Sequence, residues 1–179
     1  MIEKMYLINY NTSAIISKFD EYGNEYSMIL EGKQVFIFKQ KPLDIINHSF
    51  HKVGNNLDGA IEAARVILNR KYKVPAAFVP HIEIILIPCD TLDKRGSVWL
   101  VKSHIEDFQE IGKKKTRVYT KHGQSISIAM SKRSLQAKIA QASHLYVELS
   151  KNIQAIRNTL QPVQVSYILE NPIEYLPKQ

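Results

Sequence analysis

The sequence has a single cysteine, Cys89, among its 179 residues. One thiol excludes an internal disulfide framework and is typical of a reducing compartment, which predicts a cytoplasmic protein. No apolar run is long enough to span a membrane, because Ile82 to Pro88 contains Glu83 and ends in proline. The apolar stretch from Met5 to Ile8 is too short for the core of a signal peptide. Membrane and secreted classes are therefore not expected.

Signatures of catalysis and of metal binding are also scarce. Cys89 and His104 could serve as nucleophile and base, but a lone cysteine after an apolar strand is typically a small buried hydrophobe. His48 and His51, with Asp44 nearby, form an H-x-x-H pair, and no second cluster follows at zinc-ligand spacing. We predict no catalytic residue, metal or cofactor, and keep an enzyme acting through Cys89 as an alternative.

Length and composition predict one compact domain. With 45% hydrophobic and 23% charged residues, the chain lies in the ordinary globular range. A chain of 179 residues suits one domain better than two. We predict a folded domain over residues 1–160 and, because three prolines follow the last helical pattern, a separate tail over residues 161–179.

The first forty or so residues predict β-hairpins, since branched and aromatic segments alternate with polar, glycine-containing links. The later apolar run from Ile82 to Ile87 is expected to be an interior strand because both of its faces are apolar. The predicted strands are Tyr6 to Tyr10, Ala14 to Phe19, Tyr26 to Leu30, Gln34 to Phe38, Ile82 to Ile87 and Ser97 to Val101. One central helix is predicted from Leu57 to Lys71, capped by Asn55 or Asn56 and ended by Val74-Pro75.

A further hairpin is predicted from Lys115 to Met130, turning at His122-Gly123. Period-two alternation separates its side chains into two faces. The inner face comprises Val118, Ile126, Ile128 and Met130. The outer face comprises Lys115, Arg117, Tyr119, Lys121, Ser125 and Ser127.

A long helix is predicted from an N-cap at Ser131 to about Thr159. Its apolar residues follow one another at steps of four and three, which is a heptad pattern. They are Leu135, Ile139, Ala142, Tyr146, Leu149, Ile153, Ile156 and Leu160. Two interpretations remain open: the pattern packs on the protein's own sheet, or Tyr146, Leu149, Ile153 and Ile156 mediate self-association.

The elements together predict a single-domain α+β fold with an antiparallel-rich sheet, N-terminal hairpins, one central helix and a long C-terminal helix.

Positive charge is concentrated in two acid-free intervals. The chain has a formal net charge of +7. Between Glu110 and Glu148 it has eight cations and no acid, so the remainder is slightly acidic. The eight are Lys113, Lys114, Lys115, Arg117, Lys121, Lys132, Arg133 and Lys138. The interval from Ala63 to Ile82 adds Arg65, Arg70, Lys71 and Lys73.

Segregated cations indicate nucleic acid as the partner, because lysine and arginine neutralise phosphates and release counterions. A twisted two-stranded ribbon with outward Arg117, Tyr119 and Lys121 could also enter a groove, and arginine favours the narrow minor groove of A-tracts. The predicted DNA-binding residues are Lys113, Lys114, Lys115, Arg117, Tyr119, Lys121, Lys132, Arg133, Arg65, Arg70, Lys71 and Lys73. A basic RNA-associated protein is the main alternative.

Several short segments occur in an order that resembles the ComK family of bacterial competence regulators. They include Lys41-Pro42-Leu43, Ser49 to Gly54 with Gly59, Lys73-Val74-Pro75, Pro80 with Ile84 to Pro88, Trp99 with His104 and Phe108, Thr116 to Gly123, and Ser131. The resemblance extends from about Ile15 to Asn158. It implies a nucleoid-associated transcription activator that binds AT-rich double-stranded DNA through the minor groove as a homo-oligomer.

The resemblance further implies two protein partners, RNA polymerase and an adaptor that delivers the protein to an ATP-dependent protease. The family's adaptor signal is C-terminal, and the segment similar to it here is Ile173 to Lys178. No cofactor is implied.

Overall fold

The computed structural model describes residues 5–159, which form two antiparallel sheets and three α-helices. The strands are β1 Thr12–Phe19, β2 Glu25–Glu31, β3 Gln34–Phe38, β4 Ala76–Val79, β5 Ile84–Asp90, β6 Ser97–Val101, β7 Ile105–Gly112, β8 Lys115–Thr120 and β9 Ser125–Ile128. The helices are α1 Pro42–Lys52, α2 Leu57–Leu68 and α3 Lys132–Thr159. The predicted α+β class is confirmed. Leu160 and the predicted tail over residues 161–179, including Ile173 to Lys178, lie outside the described residues.

The large sheet has six strands in the order β3-β2-β1-β6-β5-β4, and the small sheet has three in the order β7-β8-β9. Strand alternation divides the interior into two layers. On β5, Ile85 and Ile87 join a core with the small sheet and α3, whereas Ile84 and Leu86 join a core with α1 on the opposite face. The expectation that this strand is interior and apolar on both faces is confirmed.

Two helices, rather than the one predicted, connect β3 to β4. Helix α1 begins at Pro42, whose fixed φ suits the first helical position. Helix α2 begins after Asn56, whose side chain accepts hydrogen bonds from the backbone N–H groups of Asp58 at 2.7 Å and Gly59 at 3.2 Å. The predicted end at Lys71 is wrong, because Asn69 adopts a left-handed cap with φ 49° and ends the helix at Leu68.

The predicted strand from Tyr6 to Tyr10 is also wrong, although Tyr6 and Ile8 are buried as their apolar character suggests. Side chains bind the backbone of this segment in place of a strand ladder. The Ile8 N–H donates to Ser49 Oγ at 3.1 Å, and the Asn9 N–H donates to Thr12 Oγ1 at 2.9 Å. The segment is therefore an irregular strap over the α1 side of the core.

The remaining predicted strands are present: Gln34–Phe38 and Ser97–Val101 have the predicted bounds, and the others have shifted ends. Two strands, β4 and β7, were not predicted. The predicted start of β5 at Ile82 is wrong, because Pro80–Ile82 form a short 3-10 helix. The hairpin faces are confirmed: Val118, Ile126 and Ile128 are buried in the core shared with α3. No helix among residues 5–159 has both the length and the apolar character to cross a membrane.

Candidate nucleic-acid interface

The outer face of the small sheet holds the central predicted contacts. Arg117 on β8 is exposed, and its direct neighbours across the ladder are Gln109 on β7 and Ser127 on β9. Tyr119 follows on the same face, and its hydroxyl donates to Gln109 Oε1 at 3.4 Å. Within the described residues the Arg117 guanidinium has no hydrogen bond or ion pair. It is thus a free cation between neutral polar side chains.

The acid-free interval in the sequence is not acid-free in space. Strand β7 pairs with β8 and brings Asp107 opposite Tyr119 and Glu110 opposite Thr116. Directly paired residues share a face, and Tyr119 is on the same face of β8 as Arg117. Asp107 therefore lies on the same surface as Arg117. Its negative charge reduces the positive potential of the outer face between Arg117 and Lys121.

The strongest positive cluster lies at one end of the small sheet, which we call the basic end. The β7–β8 turn contributes Lys113 and Lys114, the first residue of β8 is Lys115, and the start of α3 contributes Lys132 and Arg133. The Thr116 hydroxyl joins the two parts by donating to the Met130 carbonyl at 2.7 Å. None of the five cations forms an ion pair in the described part of the chain.

The position of two of these cations is unfavourable for helix stability. Ser131 caps α3 by accepting from the Ser134 N–H at 3.2 Å, as predicted, but the first turn has no acidic residue. Lys132 and Arg133 instead lie at the positive end of the helix dipole. Lys132 Nζ is 5.9 Å from the centre of the Phe108 ring. Cations at this end raise an already positive potential, which suits an anionic ligand.

Lys121 lies at the opposite end of β8 from the basic end. Its side chain is exposed, and its backbone N–H donates to the His104 carbonyl at 3.0 Å, which holds the β8–β9 turn against the body of the protein. Strand β8 has six residues, which at roughly 3.4 Å each separate Lys115 from Lys121 by about 20 Å.

The second predicted cluster divides into engaged and free cations. Arg65 pairs with Glu62 at 3.3 Å, and Lys73, at φ 48°, pairs with Asp90 at 2.6 Å. Arg70 and Lys71 are exposed and form no ion pair among the described residues. They line a shallow depression with Val66 and Tyr72.

Lys138 connects the second cluster to the long helix. Its ammonium donates to the Lys73 carbonyl, and burial lowers the pKa of Lys138 below its usual range. The Ala129 N–H donates to the Asp90 carbonyl at 3.0 Å just before α3 begins. The loop that contains Lys73 is therefore tied to the start of the helix, and the basic surfaces belong to connected segments.

The predicted self-association residues divide along α3. Tyr146 and Leu149 are half-buried and pack against the protein's own core. Ile153 is half-buried, and Ile156 is 63% exposed. The first part of the heptad pattern therefore covers the sheet, and the exposed part begins near Ile153.

The structure provides no shared site for Cys89 and His104. Cys89 is buried opposite Val98 on β6, whereas His104 follows the other end of that strand, with Nε2 2.7 Å from the Tyr10 carbonyl oxygen. Burial raises the pKa of the Cys89 thiol to about 12, so the thiolate nucleophile is disfavoured. Among residues 5–159, no three His, Cys, Asp or Glu side chains form a metal-binding group.

The sequence interpretation missed the polar residues of β7 that flank the ribbon, Asp107 and Gln109. The strand IEDFQEIG has too few apolar residues to show period-two alternation, and exposed residues occupy most of it. The one available signal was its position immediately before the basic hairpin.

A basic ribbon beside a basic helix N-terminus defines this protein as a candidate nucleic-acid-binding protein of the β-ribbon kind. The family model described as "ComK protein" matches residues 3–154. The chain therefore belongs to the ComK family, as the resemblance predicted.

One curated relative is the "Competence transcription factor" of Bacillus subtilis (strain 168). It is 22% identical over 148 residues, which is 83% of this chain and 77% of the relative. No solved structure matches this chain.

Proposed function

We propose that this protein is a DNA-binding transcription activator of the competence-regulator type, acting in the cytoplasm on AT-rich double-stranded DNA. The observation that supports this best is the set of exposed, unpaired cations on the basic end and on β8. Cations that stabilise the fold usually bind an acid or a carbonyl oxygen of the protein, as Lys73 binds Asp90 and Lys138 binds the Lys73 carbonyl. Arg117 and its neighbours at the basic end have no such partner within residues 5–159, so phosphate is the ligand that suits them.

The proposed binding mode uses the basic end for the phosphates and Arg117 for the minor groove. Arginine between neutral side chains can enter a narrow groove without a competing ion pair, and A-tract grooves have the deepest negative potential. The distance of about 20 Å along β8 corresponds to about six base pairs at roughly 3.4 Å per pair. One subunit would therefore cover one short A/T box.

Minor-groove contacts distinguish mainly A·T from G·C pairs, so one subunit does not provide enough information to select promoters. We propose that two or more copies bind paired boxes, with the half-buried Ile153 and the exposed Ile156 of α3 at the interface between copies. Further proposed partners, expected from the family resemblance, are RNA polymerase and a protease adaptor.

The test measures binding of the full chain to AT-rich duplex, GC-rich duplex and structured RNA by fluorescence anisotropy across a salt series. We expect AT-rich duplex to bind best, by about tenfold over GC-rich duplex. Arg117→Ala and Lys121→Ala should each weaken DNA binding and reduce the slope of log affinity against log salt by about 0.9.

Lys52→Ala is the matched control, because Lys52 is an exposed lysine of α1 on the opposite face of the large sheet. It should bind DNA as the wild type does. Preferential binding to RNA would favour the RNA-associated alternative. Wild-type affinity in both hairpin variants would exclude the ribbon as the DNA contact.

A further inference from the structure

Strand β3 is an edge of the large sheet that no other strand or helix covers between Val35 and Phe38. The other edges in the described part of the chain are protected in ways that proteins commonly use. Strand β4 is mostly buried, β7 exposes acidic residues and has register shifts, and β9 has only four residues. Strand β3 pairs with β2 alone and exposes two large apolar side chains, Val35 and Ile37.

The two faces of β3 differ. Phe36 and Phe38 pack on the α1 side of the core, and the rings of Phe38 and Tyr6 lie 5.4 Å apart. Val35 and Ile37 point to the other face and are 53% and 61% exposed. The aromatic side chains hold the strand in place, so its outer backbone edge and two apolar side chains are presented in a fixed geometry.

The charged residues that flank β3 in the sequence are positive. Lys33 precedes the strand and Lys39 follows it, both are exposed, and neither has a partner among the described residues. Two acids, Glu25 and Glu31, lie on β2 and accept hydrogen bonds from Ser17 Oγ and Tyr6 Oη, and Asp20 lines a shallow depression together with Ile37 and Lys39. Strands lie about 4.8 Å apart, so an added strand would lie beside the lysines and about 10 Å from the two acids of β2.

The same charges oppose pairing with a second copy of β3. Antiparallel self-pairing centred on Phe36 would place each Lys33 opposite the other copy's Lys39, and like charges directly opposite are destabilising. An extended segment with acidic flanks would instead match both lysines. Alternating apolar residues in it would lie beside Val35 and Ile37 on one face.

We propose that the β3 edge binds an extended peptide segment of a partner protein, with alternating apolar residues between acidic flanks, by adding it to the large sheet as a strand. Backbone hydrogen bonds supply affinity in this mode, and the alternate side chains and flanking charges supply selectivity. The site touches the ribbon through the β8–β9 turn, at the opposite end of β8 from the basic end, where Gln124 Nε2 donates to the Gln34 carbonyl at 3.1 Å.

The test uses a labelled peptide with alternating valine and threonine between paired aspartates, and a matched peptide with lysine flanks. Fluorescence anisotropy with the full chain should show at least about tenfold preference for the aspartate peptide, from two favourable cross-strand charge pairs. Lys33→Glu combined with Lys39→Glu should reverse this preference. Val35→Thr combined with Ile37→Thr should weaken both peptides while DNA affinity and the thermal unfolding midpoint are retained.

Strand addition has a further signature. Methylation of alternate peptide amides blocks hydrogen bonds on one edge of the peptide only, so one methylated series should lose binding and the other should keep it. Equal loss in both series, or no preference between aspartate and lysine flanks, would overturn the proposal. Concentration-dependent dimers of the wild type that Ile37→Thr dissociates would assign the edge to a second copy and would also overturn it.

Discussion

The division of the second basic cluster into free and engaged cations gives a quantitative prediction. Arg70 and Lys71 are unpaired within the described residues, whereas Arg65 and Lys73 have acidic partners. A cation that already has a partner must give it up to bind phosphate. The double variant Arg70→Ala/Lys71→Ala should therefore affect DNA binding more than Arg65→Ala/Lys73→Ala does.

The magnitude follows from counterion release. The seven free cations, which are the five of the basic end together with Arg117 and Lys121, give a slope of log affinity against log salt of about −6 when each neutralises the charge of one phosphate, at roughly −0.9 per charge. Arg70 and Lys71 extend it to about −8. Their removal should return the slope to about −6, while removal of Arg65 and Lys73 should change it by less than about 0.5.

The assay is a titration of AT-rich duplex at several salt concentrations, followed by fluorescence anisotropy, with thermal unfolding as a check on the fold. Lys73→Ala also removes the partner of Asp90, so a lower unfolding temperature is expected for that variant without a change in slope. Equal slope changes in the two double variants would refute the distinction between free and engaged cations. No change in either would exclude the second cluster from the interface.

Four further outcomes are expected. Leu149→Asp should lower the free energy of unfolding by about 3 kcal/mol because Leu149 packs against the core, and a normally folded variant would contradict this packing. Ile156→Asp should change the free energy of unfolding by less than about 0.5 kcal/mol, because Ile156 is exposed, and should reduce oligomerisation in sedimentation velocity. Cys89→Ala should lower the free energy of unfolding by about 1–2 kcal/mol in denaturant and leave DNA affinity intact, since the thiol is a buried packing group. Lost DNA binding in a folded variant would instead indicate a chemical role for the Cys89 thiol. Asn56→Ala should cost about 1 kcal/mol, because two backbone N–H groups of α2 lose their acceptor, and an unchanged melting temperature would show that the cap is dispensable.

The features that sequence analysis predicted are those set by local periodicity. The hairpin alternation placed Val118 inside and Arg117 outside because neighbouring side chains of a strand point to opposite faces. The start of α3 at Ser131 followed from a hydroxyl cap before a helical pattern. Both signals lie within a few residues, so tertiary structure does not alter them.

The features it missed depend on contacts between distant segments. Tyr6 and Ile8 have the composition of a strand, but Ser49 and Thr12 supply the hydrogen bonds of this segment. Strand β7 is too polar for its pattern to be recognised, and the acid that it places on the face of Arg117, Asp107, is visible only through strand register. The heptad pattern likewise did not show where α3 leaves the core.

The local signal for α1 was present, since Pro42 at the first helical position is typical of a helix start. The sequence interpretation left this segment without a helix, although Leu43, Ile46 and Phe50 recur at helical spacing. Burial of Ile45, Ile46 and Phe50 against the large sheet, rather than intrinsic propensity, stabilises the helix.

The uneven charge of the small sheet has a kinetic consequence. Five cations lie at the basic end, while Asp107 lies opposite Tyr119, near the other end of β8. A long-range field therefore draws the duplex first to the basic end, and Arg117 meets the groove only after that encounter. Substitutions at the basic end should slow association most, whereas loss of Arg117 should mainly hasten dissociation. Capture and groove contact are thus successive events, separated along a single β-strand.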